Sequence, residues 1–335
     1  MLMARYGELG AGMGGGGGSR RRSQGIGLAV VSSLCFSTSG VFGKALIGAG
    51  FGPMQAVWLR MAGSALVLVP LVLGVRGPAV VAAARPHWRP LVAYGLTGVA
   101  GCQALYFLAA SRLPVGIAIL VEYLGPVLVL GWIRFARRMP VRRSAAAGVV
   151  VALAGLACVV RIWSGVHLDA VGLAAGLGAA ACQAAYFLIV ERLVVDPLVL
   201  TAAGSVIGTV SLTVLAAPWA MPWGVLAGQV GLARGNIPAW ALLIWLVLIS
   251  TVVAYLAGVA SVQRLNAQVA AAICYSEAVA AIGVAWLVLG ERLAAVQLAG
   301  GAIVLTGAYI AQRAAARPVA APAGQAAVPV PAGVG

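Results

Sequence analysis

Long, uninterrupted apolar runs dominate the chain, and short polar stretches rich in arginine separate them. A helix needs about 20 consecutive apolar residues to cross a bilayer. Strands of a membrane barrel would instead alternate apolar and polar positions. The runs here are continuous, so the pattern predicts an all-α integral membrane protein. Ten spanning helices are expected, at 25–47, 53–75, 90–111, 115–135, 144–161, 170–190, 198–220, 238–261, 267–289 and 294–312.

Both ends differ from this body. Residues 1–24 are Gly-rich and read as a disordered cytoplasmic segment. The Gly12–Gly18 stretch formally contains G-x-G-x-x-G, but it follows no strand and lacks a P-loop lysine. Arg20, Arg21 and Arg22 then precede an apolar run too long for a signal peptide, which reads as a retained anchor. Residues 318–335 are Pro, Ala, Val and Gly, and read as a disordered tail.

Basic residues set the expected orientation. With the N-terminus in the cytoplasm, 16 loop arginines fall on the cytoplasmic side, against Lys44 and four arginines outside. The positive-inside rule therefore places both termini in the cytoplasm.

The chain also repeats. With a shift of 152 residues, Arg112-Leu113 meets Arg264-Leu265, and Tyr123 meets Tyr275. Gly148 meets Gly300, and Gly155 meets Gly307. Earlier in each half, Cys35 and Cys182 align with a shift of 147. The expected units are 25–161 and 168–313, five helices each. An odd number of crossings turns the second unit upside down, giving two inverted five-helix repeats. Carriers built this way hold their solute near the midplane between the halves.

Composition narrows the choice of function. Hydrophobic residues make up 62% of the chain and charged residues 9%, whereas soluble domains are about 25% charged. The net charge of +15 is spread through loops rather than gathered on a module, so no nucleic-acid partner is expected. The Ala-, Gly- and Arg-rich usage is that of a GC-rich bacterial genome, and the inner membrane is the expected location. Five cysteines in apolar segments and two histidines in separate loops supply too few ligands for a metal site.

Ionisable groups within the spans are the sharpest candidates, since each costs about 2.5–3.5 kcal/mol at a helix centre. They are Arg60 in the second span, Glu122 in the fourth and Glu277 in the ninth. Glu277 shifted by 152 falls on Gly125, three residues from Glu122, so both carboxylates can face one cavity and exchange protons. Arg60 and Glu122 lie at similar depth from the outer side and are expected to pair across the outer half of the cavity in at least one conformation, as a static ion pair or as a gate. Cys102-Gln103-Ala104-Leu105-Tyr106 in the third span is echoed by Cys182-Gln183-Ala184-Ala185-Tyr186 in the sixth. Gln103, Tyr106, Gln183 and Tyr186 are candidate solute contacts or interhelical glue, and Tyr123 and Tyr275 flank the carboxylates. Ser37, Thr38 and Ser39 are expected to bond their own helix carbonyls. Glu191 and Glu291 lie at helix ends and are assigned no chemistry.

Residues Tyr106 to Ala118, then Glu122-Tyr123-Leu124-Gly125-Pro126-Val127, resemble the first half of an EamA-type member of the drug/metabolite transporter superfamily. Ser276-Glu277-Ala278-Val279, Leu289-Gly290-Glu291-Arg292-Leu293 and Gly300-Gly301 resemble that family's ninth and tenth helices. The Glu122-to-Pro126 run leans towards the threonine/homoserine exporter branch. The family often carries proline after the ninth-helix glutamate, where this chain has Ala278. The resemblance implies a central cavity formed by helices 1–4 and 6–9, peripheral helices 5 and 10, and secondary transport. The transport it implies is usually export of amino acids or related metabolites, with protons as the candidate coupling ion and no cofactor.

Two other readings compete with transport. A membrane-embedded transferase needs convergent carboxylates or an activated nucleophile, and the seven acidic residues are scattered singly. No catalytic residue is therefore assigned. A non-transporting membrane subunit gives no reason for Glu122 and Glu277.

Overall fold

A computed structural model describes residues 15–79, 86, 88–136, 138, 143–160, 169–190, 195–262, 264–265 and 267–315. The described residues contain ten apolar spans. In the first half these are α1 Gly15–Gly48, α2 Pro53–Arg76, α3 Trp88–Arg112, α4 in two pieces, Val115–Glu122 and Gly125–Phe135, and α5 Arg143–Val160. In the second half they are α6 Ala170–Val190, α7 Pro197–Ala216, α8 through Ala239–Val247, Leu248–Val253 and Ala254–Val262, α9 Ala267–Leu289 and α10 Ala295–Ala315. Their outward faces are apolar: Leu66 and Val214 are each 78% exposed, as lipid rather than water requires. Trp88, Trp132 and Trp240 are exposed near helix ends, where interfacial tryptophans sit.

Three local features differ from the expected limits. Helix α1 begins at Gly15, inside the stretch expected to be disordered, although its apolar span starts only at Arg22. Helix α7 stops at Ala216 although the apolar run continues to 220, because the residue before Pro218 is excluded from helical geometry; Ala217 takes a left-handed conformation instead. The all-α architecture also carries one short hairpin outside the spans. Strands β1 Gln229–Leu232 and β2 Gly235–Pro238 form an antiparallel hairpin between α7 and α8. Ala233 N–H donates to the Val288 carbonyl of α9 at 2.8 Å, which docks the hairpin on the end of that helix. The tail beyond 315 lies outside the described residues.

The repeat is visible in the packing. Helix α1 packs on α8 and α9, and its equivalent α6 packs on α3 and α4. Helix α2 packs on its own equivalent α7, and α5 on α10. The π-helical segments, Tyr94–Gly101 in α3 and Leu248–Val253 in α8, end at positions 152 residues apart. Helices α5 and α10 run antiparallel: a Cβ on Gly148 would lie 2.5 Å from Ala311 N, and one on Gly155 2.5 Å from Val304 N. Equivalent helices that run in opposite directions make the two halves an inverted pair. The glycines that reveal the repeat are those that let the halves touch backbone to backbone.

Candidate functional site

Helix α2 carries Arg60, which has no exposed surface. Its Nε donates to Thr251 Oγ1 at 2.6 Å, and its Nη1 to Ser39 Oγ at 2.6 Å and Gln103 Oε1 at 2.5 Å. Nη2 donates to the Ser250 carbonyl at 3.0 Å, and the Phe107 ring lies 5.8 Å away. One planar fork thus joins α2 to α1, α3 and the π segment of α8, a kind of irregularity found often at functional sites. Gln103 also faces Tyr255, its own equivalent in the other repeat, at 3.5 Å.

The expected Arg60–Glu122 ion pair is not formed in this structure. Arg60 turns towards α8 and is satisfied by neutral oxygens. Glu122, the last residue of the first α4 piece, faces α3 and α6: Cys102 Sγ donates to its Oε1 at 3.2 Å and Gln183 Nε2 at 3.4 Å. Glu277 accepts from Tyr123 Oη at 3.0 Å. Both carboxylates are half-buried. Tyr123 and Tyr275, equivalent residues of the two repeats, meet with ring centroids 5.4 Å apart. The interruption of α4 at Tyr123–Leu124 is what brings the Tyr123 hydroxyl to Glu277. Pro126 lacks the N–H that would bond the Glu122 carbonyl, so the helix restarts there. Helix α9 has Ala278 at the corresponding position and runs unbroken.

The structure therefore brings Glu122, Gln183, Tyr123, Tyr275 and Glu277 to the interface between the repeats. The other candidates make different contacts. Gln103 is taken by Arg60. Tyr106 is buried with its hydroxyl against Gly40 of α1, and Tyr186 packs on Gly98 of α3 and beside Tyr94. Ser37 and Thr38 bond carbonyls of their own helix, but Ser39 serves Arg60. Cys102, Thr251 and Tyr255 were missed. The cysteine–glutamate contact has no spacing signature, and Thr251 and Tyr255 were legible only as positions equivalent to Val99 and Gln103. Among the described residues, no three His, Cys, Asp or Glu side chains converge as a metal site would need.

Glu291, assigned no chemistry from its position, closes one end of the bundle. Its Oε1 lies 2.6 Å from Lys44 Nζ, and its Oε2 accepts from Val115 N–H at 2.8 Å. Lys44 Nζ also donates to the Leu113 carbonyl at 2.7 Å. This latch ties the end of α1, the α3–α4 turn and the α9–α10 turn. Beside it, Arg112 pairs with Asp169 at 3.1 Å. The Gly172 backbone N–H and then Arg112 hold the Asp169 carboxyl below its usual range.

Both halves of the chain match the description "EamA-like transporter family", over residues 23–161 and 170–312. The chain belongs to that family. It is a multi-pass membrane transporter, not an enzyme, and the two EamA matches coincide with its two duplicated halves. The threonine/homoserine exporter RhtA of Escherichia coli strain K12 is 30% identical to this EamA protein over 220 residues, covering 64% of this chain and 68% of that one. The exporter of the same name from Salmonella typhimurium strain LT2 is 36% identical over 104 residues, 31% of this chain and 33% of that one. A solved crystal structure 20% identical in sequence superposes with a TM-score of 0.58, over 88% of this chain and all of that one, and supports the fold alone.

Proposed function

We propose that this EamA transporter exports an amino acid or related small metabolite across a bacterial inner membrane, with both termini in the cytoplasm, in exchange for protons. The observation that carries the reading is the pair of half-buried carboxylates, Glu122 and Glu277, one from each repeat. Among the described residues, the groups that reach them are neutral donors: Cys102, Gln183 and Tyr123. A carboxylate within a span, held by neutral hydrogen-bond donors, can serve as a proton-exchanging group. It can exchange its proton for the ammonium group of a solute. Tyr123 and Tyr275 add ring faces on which a cation can rest. Alternating access would then rock one repeat against the other around this interface.

The test is transport in sealed vesicles. Glu277→Gln mimics the protonated state permanently. It should abolish uptake or efflux driven by a pH gradient while solute counterflow at equal pH persists. Gradient-driven transport at the wild-type rate in that variant overturns proton coupling through Glu277. Absence of counterflow with any amino acid in the wild-type protein overturns the proposed substrate class.

A further inference from the structure

At the end of the bundle opposite the Lys44–Glu291 latch lies a pocket of about 810 Å³, between the end of α2, the start of α7 and the end of α8. Its polarity is graded. At the mouth stand Arg76, the last residue of α2; Asp196, the N-cap of α7; and Arg264, just beyond α8. Deeper are Leu71 and Leu256, five and eight residues back along their helices, which is about 7 and 12 Å at the helical rise. Asp196 is already engaged: Oδ2 lies 3.1 Å from Arg76 Nη2, and Oδ1 accepts from Leu198 N–H at 2.9 Å. Arg264 donates Nη1 to the Ala260 carbonyl at 2.8 Å and takes part in none of the ion pairs among the described residues. Most of its five donors remain available. The lining also reaches the outward surface, where Leu71 is 39% and Val75 64% exposed.

A surplus positive charge at the mouth, apolar walls below it and an open apolar side describe a site for an anion that carries a hydrocarbon chain. We propose that this groove binds an anionic phospholipid, with the headgroup phosphate at Arg264 and Arg76 and an acyl chain along Leu71, Val75 and Leu256. A small free anion would gain nothing from the apolar walls. Under the orientation proposed above, the groove opens to the cytoplasmic leaflet, where basic pockets between helices meet anionic headgroups. Its lining holds none of the candidate transport residues, yet it lies between α2 and α8, the two helices that Arg60 clamps.

Native mass spectrometry of the purified full-length protein with added phosphatidylglycerol or phosphatidylcholine tests this. The wild type should retain phosphatidylglycerol in preference. Arg264→Gln should retain it about fivefold less well, and Arg264→Lys should recover most of the loss, since one basic residue near an anionic surface is worth about that factor. A melting-temperature rise with phosphatidylglycerol, absent in Arg264→Gln, gives a second readout in the same protein. Equal retention of both lipids, or retention unaffected by Arg264→Gln, overturns the proposal. So does displacement of the lipid by inorganic phosphate alone, which would make the groove a free-anion site. Loss of solute counterflow in Arg264→Gln with lipid retention unchanged would also overturn it, by making the groove a solute vestibule.

Discussion

Replacing Arg60 by lysine keeps the charge and removes the fork. The guanidinium spans acceptors on three helices, from Thr251 at one edge to Ser39 and Gln103 at the other, with the Ser250 carbonyl below. An ammonium is a single point with three donors and cannot reach all four. A hydrogen bond from a charged donor is worth about 1.5–3 kcal/mol. Losing two of the four costs about 3 kcal/mol or more. Gln103 and Ser39 are the partners left without a donor, because they sit furthest from where an α2 ammonium would settle beside Thr251. At about 2 °C per kcal/mol for a chain of this size, Arg60→Lys should lower the apparent melting temperature in detergent by about 5 °C or more. Transport should fall with it, because α1, α3 and α8 lose their common anchor. A single-contact control, Thr251→Val, should lose about half as much. If Arg60→Lys melts and transports as the wild type does, charge alone matters and the argument from fork geometry fails.

Gly155→Ala should destabilise the α5–α10 contact by about 1–3 kcal/mol, since the new methyl would meet backbone that cannot step aside; Gly27→Ala in α1, with nothing within 4 Å of the added carbon, should be neutral or stabilising in the same melting assay. Exchanging the latch charges in a Lys44→Glu, Glu291→Lys double variant should not restore stability or transport. Val115 N–H would keep no acceptor and the Leu113 carbonyl no donor, so full recovery would reduce the latch to a bare ion pair. Asp169→Asn should lower the melting temperature at neutral pH. The folded carboxyl is held below its unfolded value, so its stabilisation is present above that value and is lost as pH falls through the depressed one. The gap between variant and wild type should therefore close in acid, and a gap that persists there would exclude the carboxylate's charge as its source.

How much was legible follows from where each signal resides. The ten spans were legible because the apolar runs carry the whole energetic case for a spanning helix, and the structure places them close to the expected limits. The inverted repeat was legible because Gly148, Gly155, Gly300 and Gly307 are bound to one another by a steric demand that a constant offset preserves. The hairpin at Gln229–Pro238 was not. Its eight paired residues give too little alternation to stand out, and what holds it is a tertiary bond to Val288. The burial of Arg60 was legible as a charge inside a span, but the partners it has in this structure were not, since depth along two helices leaves their rotation undetermined. Rotation turned Arg60 to α8 and Glu122 to Cys102. The Glu291 latch was hidden for the same reason: a helix-end glutamate reads as solvated until the turn that faces it is known.

The two carboxylates depart from the repeat's offset, and packing explains why. The first-repeat position equivalent to Glu277 is Gly125. A Cβ there would lie 2.9 Å from Gln183 Oε1 and 3.2 Å from the Ala180 carbonyl, so α4 presses against α6 at the point where a side chain would be needed. A glutamate at 125 would have to push the helices apart. The first repeat instead carries its carboxylate at 122, nearly one turn earlier, where Cys102 and Gln183 receive it. The proline next to Gly125 then interrupts α4, and the interruption directs Tyr123 across the interface to Glu277. Helix α9, with alanine at the corresponding place, runs unbroken and carries its carboxylate at 277. The asymmetry gives each acid a different donor: a thiol and an amide for Glu122, a phenol for Glu277. Two acids with chemically distinct donors suit the proton-coupled carrier proposed above, since identical sites would give neither proton nor solute a preferred place.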